Sequence, residues 1–328
     1  IVREHKAEWG KEQKKEYKES RKKQKRRILI AVLVLNFGIL AFLKYFNFVS
    51  GGIGELLGLA GIQWRLQLRL ILPLGISFYT FQSTGYLIDV YRGKYESEKN
   101  IFRFALFVSF FPQIIQGPIS FYDQLAGQLY EEHRLKYENL RQGVFLMVWG
   151  YFKKMVIADH TVGFINTITA EHTKYSGTML WLVVLVYAVQ LYADFSGGID
   201  ISRGFAEILG IRMTDNFRRP YFAVSVNDYW RRWHITLGAW MKMYLFYTLA
   251  SSKSFLNMGK RMRERMGQTK AGAHIAKVFP SALSSLITFL VVGIWHGSNM
   301  KYVAFGVWNG GGIMLSILLQ PVFAATLR

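Results

Sequence analysis

Apolar and polar positions fall in long blocks along this chain. The clearest apolar block is ILIAVLVLNFGILAFLKYFNF, residues 28–48. A bilayer core is about 30 Å thick, so a spanning helix needs roughly 20 mostly apolar residues. On that criterion residues 28–48, 66–91, 104–122, 143–169, 178–199, 278–297 and 301–325 predict membrane segments, and 233–250 is apolar but short. The pattern predicts an all-α, polytopic integral membrane protein with about seven or eight such segments. Residues 1–27 predict a basic cytoplasmic arm, helical or disordered, and 28–328 a multi-span core.

Several blocks are not plain spans. Residues 66–91 carry Pro73 and Gly75, and FFPQIIQGP places Pro112, Gly117 and Pro118 close together. Proline frees backbone groups that must find partners in protein or water. These segments are therefore expected to line a cavity or to re-enter. Residues 203–232, with six arginines and Pro220, are too polar to cross and predict cytoplasmic or re-entrant helices. The glycine-rich run 49–64 predicts a loop or surface helix. In the arm, Glu8/Lys11, Glu12/Lys15 and Glu19/Lys23 have helical pair spacing.

Charge changes the picture by its placement. The net charge is +20 over 328 residues. Residues 1–27 carry 12 Lys/Arg against 5 Glu, directly before the first apolar block. Residues 253–277 carry 7 against one, directly before the block at 278. Basic clusters abutting spans mark cytoplasmic loops on a bilayer surface. They lack any helix-turn-helix, RNP or zinc-finger pattern, so no nucleic-acid partner is expected. There is no cysteine, which excludes disulfides, thiolate metal sites and a cysteine nucleophile. No nucleophile elbow, zinc-protease motif or phosphate loop occurs, and no bound cofactor or metal is expected. A chain opening on Ile1 in mid-polar run, with no apolar leader in residues 1–27, reads as part of a longer protein.

Ionisable residues inside apolar segments are costly and lean functional. His296 follows an unbroken apolar run at a Trp-His-Gly corner. A histidine suits general-base work because its ordinary pKa of about 6.5 leaves it neutral near pH 7. The alternative is a helix-end histidine bonded to a carbonyl. His234 lies in DYWRRWHITLGAW. On one continuous helix it would share a stripe with Trp230 and Met241, beside Trp233, Trp240 and Tyr244. That helix could equally lie at the membrane interface, with Arg231 and Arg232 on lipid phosphates. Asp194 and Asp200 close the block LVVLVYAVQLYADFSGGID and could pair with Arg203 or orient a histidine.

The stretches LPLGISFYTFQSTGYLIDVYRG, FALFVSFFPQIIQGPI, QLYADFSGGIDISRGFAEILGI, NFRRPYFAVSVNDYWRRWHITLGAWM and GIWHGSNMKYVAFGVWNG run from about residue 66 to the end of the chain. Together they resemble the membrane-bound O-acyltransferase family, most closely its alginate O-acetylation branch, with the D-alanyl transfer proteins of teichoic acids as relatives. The resemblance implies a helical bundle around a central tunnel in a bacterial cytoplasmic membrane. It implies that His296 is catalytic and His234 the second tunnel residue, with Asp194, Asp200, Trp230, Trp295 and Asn309 supporting. It implies an acyl thioester donor, acetyl-CoA or an acyl carrier protein, and a polysaccharide or other glycan acceptor. A second, extracytoplasmic acyltransferase is an implied partner. Two departures stand out. Lys242, Met243 and Tyr244 replace the usual R-D-Y, which removes an acid at 243, and SGGID replaces the commoner SGYSD. The rival readings are D-alanyl transfer onto teichoic acid, a membrane transporter, and a scaffold that acts through its basic arm. An internal repeat would favour the transporter, and none is seen.

Overall fold

The computed structural model describes residues 10–64 and 66–326, and every regular element among them is a helix. Residues 1–9 of the expected arm, including Glu8, lie outside the described residues. The chain divides into two compact units at residue 101.

The first unit holds α1 (Lys11–Gly58) and α2 (Ile76–Arg92). Helix α1 is continuous for 48 residues, about 72 Å at the α-helical rise. It absorbs the rest of the basic arm, the whole first apolar block and part of the glycine-rich run. Val34, Leu35, Ile39 and Phe42 stand exposed on it. Water would oppose so long an apolar surface, whereas lipid accommodates it. The block expected as one segment over 66–91 is helical only from Ile76, since residues 66–73 have no helix before the left-handed Gly75. Side chains of α1 bond this irregular backbone. Asn47 Nδ2 donates to the Leu68 carbonyl and Leu68 N–H to Asn47 Oδ1, both at 2.9 Å. Ser50 Oγ donates to the Leu66 carbonyl at 2.5 Å. Non-helical backbone in apolar surroundings needs such partners.

The second unit begins at Phe102. The block expected over 104–122 breaks into α3 (Ile101–Ser109) and α4 (Phe111–Gln116), with non-helical chain over 117–121. The break falls at Phe110, just ahead of Pro112. Then follow α5 (Tyr122–Tyr130), α6 (Tyr137–Tyr151), a π-helical stretch Phe152–Asp159, and α7 (His160–Ala170). Helix α8 (Gly177–Ile208) starts at Ser176, whose hydroxyl accepts the Met179 N–H. Helices α9 (Val226–Arg232), α10 (Ile235–Met241), a π turn Lys242–Phe246 and α11 (Tyr247–Ala250) are short. The basic run expected as a loop forms α12 (Lys253–Met266) and the start of α13 (Lys270–His296). Helices α14 (Met300–Leu318) and α15 (Gln320–Thr326) end the described chain. On length and composition α1, α8 and α13 can each cross a membrane.

Two glycine seams hold the second unit together. A Cβ on Gly143 would stand 2.5 Å from the Gly204 carbonyl oxygen, and one on Gly150 2.7 Å from that of Gly197. The converse positions are equally tight, at 2.5 and 2.8 Å. Gly143 pairs with Gly204 and Gly150 with Gly197, so α6 and α8 run antiparallel with their backbones in contact. In lipid, where no hydrophobic force drives helices together, close packing of small residues does so. The hairpin of α13 and α14 uses the same device. A Cβ on Gly293 would collide with the Tyr302 carbonyl, and one on Gly306 would stand 2.7 Å from the Phe289 carbonyl.

Candidate active site

The helix expected to carry Trp230, His234 and Met241 on one stripe is broken. Helix α9 ends at Arg232, and His234 adopts left-handed backbone angles, φ 46° and ψ 52°, before α10 begins. The segment ahead of it pulls the chain out of helix. Arg218 N–H donates to the Arg232 carbonyl at 2.9 Å, and Ile235 N–H to the Asn216 carbonyl at 3.0 Å. A non-glycine residue in this region is strained by about 1–3 kcal/mol and persists only where its surroundings demand it.

Asn216, 1% exposed, is the centre of these surroundings. Its Oδ1 accepts the Thr236 N–H at 3.0 Å and the Thr236 hydroxyl at 2.9 Å, and lies 3.2 Å from His234 Nδ1. The Thr236 hydroxyl in turn accepts the Ile119 N–H at 3.0 Å, tying in the chain after α4. Among the described residues, Asn216 Nδ2 and Trp230 Nε1 are buried donors with no protein acceptor.

His234 is itself buried, with the Phe195 ring edge-on at 4.8 Å and Trp295 at 6.4 Å. It lies outside the three long apolar helices. Burial, and after it the proximity of His296, push its pKa below the ordinary histidine value, so the ring is neutral at physiological pH.

His296 ends α13 and is exposed. Its ring lies 4.9 Å from Trp295, 6.4 Å from Tyr302 in a stacked arrangement, and 5.9 Å from Phe305 edge-on. Gly297 follows in extended backbone, and a Cβ there would collide with the Tyr302 ring. A glycine after the histidine therefore lets Tyr302 stack on it. Trp230 meets Phe289 at 5.0 Å and Phe305 at 6.0 Å. Trp295 thus neighbours both histidines, and Phe305 joins Trp230 to His296. A buried neutral imidazole and an accessible one share a single aromatic cluster, a setting suited to proton transfer.

The other expected residues stand elsewhere. Asp194 pairs with Lys154 at 2.5 Å, and Asp200 with Lys153 at 2.6 Å and Arg203 at 3.8 Å. Arg203 also reaches Asp215 at 2.5 Å. Asp200 thus pairs with the expected Arg203 as well as with the nearer Lys153, while Asp194 pairs with Lys154. Asn309 donates to the Phe305 carbonyl of its own helix at 2.9 Å. Arg232 pairs with Asp228 at 3.0 Å, while Arg231 is exposed.

A family model for membrane-bound O-acyltransferases matches residues 97–262, half of the chain. The chain belongs to the membrane-bound O-acyltransferase family. The matched stretch contains Asn216 and His234, and His296 lies beyond it. Among curated relatives, the probable alginate O-acetylase of Pseudomonas aeruginosa is 34% identical over 285 residues, covering 87% of this chain and 50% of that protein. The peptidoglycan O-acetyltransferase of Helicobacter pylori is 33% identical over 322 residues, covering 89% and 55%. The teichoic acid D-alanyltransferase of Bacillus subtilis is 27% identical over 248 residues, covering 74% and 58%. The chain spans about half the length of the curated relatives it matches.

Within this membrane-bound O-acyltransferase chain, two features escaped sequence reading. Asn216 sits in the quoted NFRRPY run, but only its fold neighbours single it out. Lys153 and Lys154, two cations inside an apolar block, were a readable signal of buried pairing. Lys153 is buried and also donates to Ser196 at 3.0 Å. Lys153→Met alone leaves Asp200 short of its nearest cation and is expected to cost about 3–5 kcal/mol. Adding Asp200→Leu to it should restore much of the loss. Thermal unfolding of the detergent-solubilised full-length protein measures both; equal stability of wild type and single variant would refute the pairing's importance.

Proposed function

We propose that the full-length protein is a multi-pass O-acyltransferase of the bacterial cytoplasmic membrane. It moves an acyl group, most simply acetyl, from a cytoplasmic thioester to a hydroxyl of an exported cell-envelope polysaccharide or to an extracytoplasmic partner transferase. The donor is acetyl-CoA or an acyl carrier protein, and the protein itself binds no cofactor. The observation that carries this reading is that His234 and His296 share Trp295 as a neighbour, in a chain of this family. The relatives named for alginate and peptidoglycan O-acetylation support acetyl and glycan; the one named for teichoic acid supports D-alanyl as the second choice.

Acyl transfer to a hydroxyl needs a base at the hydroxyl, a polarising group at the carbonyl, and exclusion of competing water. In our reading the acceptor oxygen attacks the thioester carbonyl carbon. His296 takes the hydroxyl proton, the C–S bond breaks, and His296 returns the proton to the departing sulfur. His234 orients the acceptor or stabilises the developing negative charge. Trp230, Trp295, Asn309, Asp194 and Asp200 support a tunnel in which substrates from opposite leaflets meet.

The test follows release of free CoA from acetyl-CoA by the full-length protein in nanodiscs with a glycan acceptor. Acceptor-dependent release supports the reading. No release with acetyl-CoA, but transfer from an acyl carrier protein, moves the donor to the carrier. Solute flux with no thioester consumed would replace the reading with a transporter.

A further inference from the structure

We infer that Asn216 is a positioning residue that fixes His234 in its Nδ1–H form, so that His234 presents only an acceptor nitrogen, Nε2, to the acyl acceptor. The inference deepens the reading above and rests on it for the identity of the acceptor.

The argument runs through donors and acceptors on one oxygen. A backbone N–H can only donate, and Thr236 N–H points at the Asn216 side-chain atom 3.0 Å away. That atom is therefore the amide oxygen, and the amide cannot be turned over. His234 Nδ1 lies 3.2 Å from the same oxygen. Two acceptors cannot bond each other, so Nδ1 carries the proton. A neutral imidazole has one N–H, which leaves a lone pair at Nε2. Among the described residues no hydrogen bond forms at Nε2, whose counterpart Nδ1 is thus the ring's sole protein-bonded nitrogen. The buried position keeps the ring from taking a second proton.

This selects between the two roles open to His234. A neutral ring whose only N–H is spent on Asn216 has no donor with which to hold a developing oxyanion. It can accept a hydrogen bond, and the acceptor substrate supplies one from a hydroxyl beside the reacting one, whose own proton goes to His296. The chain around the clasp serves this geometry. The left-handed turn at His234, the Ile235 N–H bond to the Asn216 carbonyl and the Thr236 bond to Ile119 all hold the ring against the amide. Titratable groups near the clasp are few. His296 acts on His234 directly, while Asp215, next to Asn216 in the chain, is held by Arg203 and lies 3.8 Å from Arg218.

The tests use the full-length protein. Nitrogen-15 NMR of histidine-labelled wild type, with the His234→Gln spectrum subtracted, reads the tautomer without any substrate. A neutral ring protonated at Nδ1 is expected; protonation at Nε2 overturns the inference whatever the protein's activity. The second test follows the pH titration of the same nitrogen-15 signals. Asn216→Asp keeps every acceptor bond but sets a negative charge against Nδ1–H, which favours the doubly protonated ring. The His234 ring should then take its second proton at a pH about 1–3 units higher than in wild type. Leu237→Ala, a packing change in α10, should leave that titration where it is. A His234 titration unmoved in a folded Asn216→Asp protein overturns the inference. Neither measurement uses CoA release, so failure of the proposed donor leaves both to decide.

Discussion

Full-length protein carrying His296→Ala is expected to lose acyl transfer by about 10²–10⁴-fold, the usual contribution of a positioned base, while keeping its helical fold. The two halves of the prediction come from different observations. His296 is an exposed residue at the last turn of α13, so removing its ring leaves no cavity in the interior. Its neighbours Tyr302 and Phe305 belong to α14, which is fixed to α13 by the Gly293 and Gly306 contacts, not by the imidazole. The fold should therefore survive, shown by circular dichroism and by elution as a single species. If His296 removes the hydroxyl proton, kcat falls while the KM for the thioester changes little. A variant that folds and turns over at the wild-type rate ends the assignment. Equal loss of folding and activity would instead place His296 among the supports of the hairpin.

The second large effect is on assembly. Gly150→Leu is expected to separate α6 from α8 and to unfold the second unit at markedly lower temperature. Overpacking a tight core commonly costs about 1–3 kcal/mol, and this site is less forgiving. The atom facing the new side chain is the Gly197 carbonyl oxygen at 2.7 Å, part of a helix backbone, and the Ile201 amide nitrogen lies at 2.9 Å. A side-chain neighbour could rotate away; a backbone cannot. Helix α8 also bears Asp194 and Asp200, so moving it by the width of a side chain would stretch both lysine pairs. Thermal unfolding of the solubilised protein measures the shift. A substitution at Gly163 or Gly127, where an added Cβ meets nothing within 4 Å, is the matched control and should be near neutral. A Gly150→Leu protein as stable as that control would show the seam to be dispensable.

The sequence by itself determined the helical class, the apolar blocks and the family. These depend on composition and order over tens of residues, where the need to satisfy backbone groups in lipid leaves little choice but helix. His234 and His296 stood out as candidates from their places beside the motif tryptophans. Tertiary structure alone decided the rest. A helical stripe drawn through Trp230, His234 and Met241 assumes an unbroken helix, and the bonds that break it come from Asn216 and Arg218, well upstream. The partners of Asp194 and Asp200 are lysines some forty residues back, brought near by a glycine seam whose two halves lie on different helices. Such pairings follow from which surfaces meet, and periodicity within one segment carries no information about the segment it will touch.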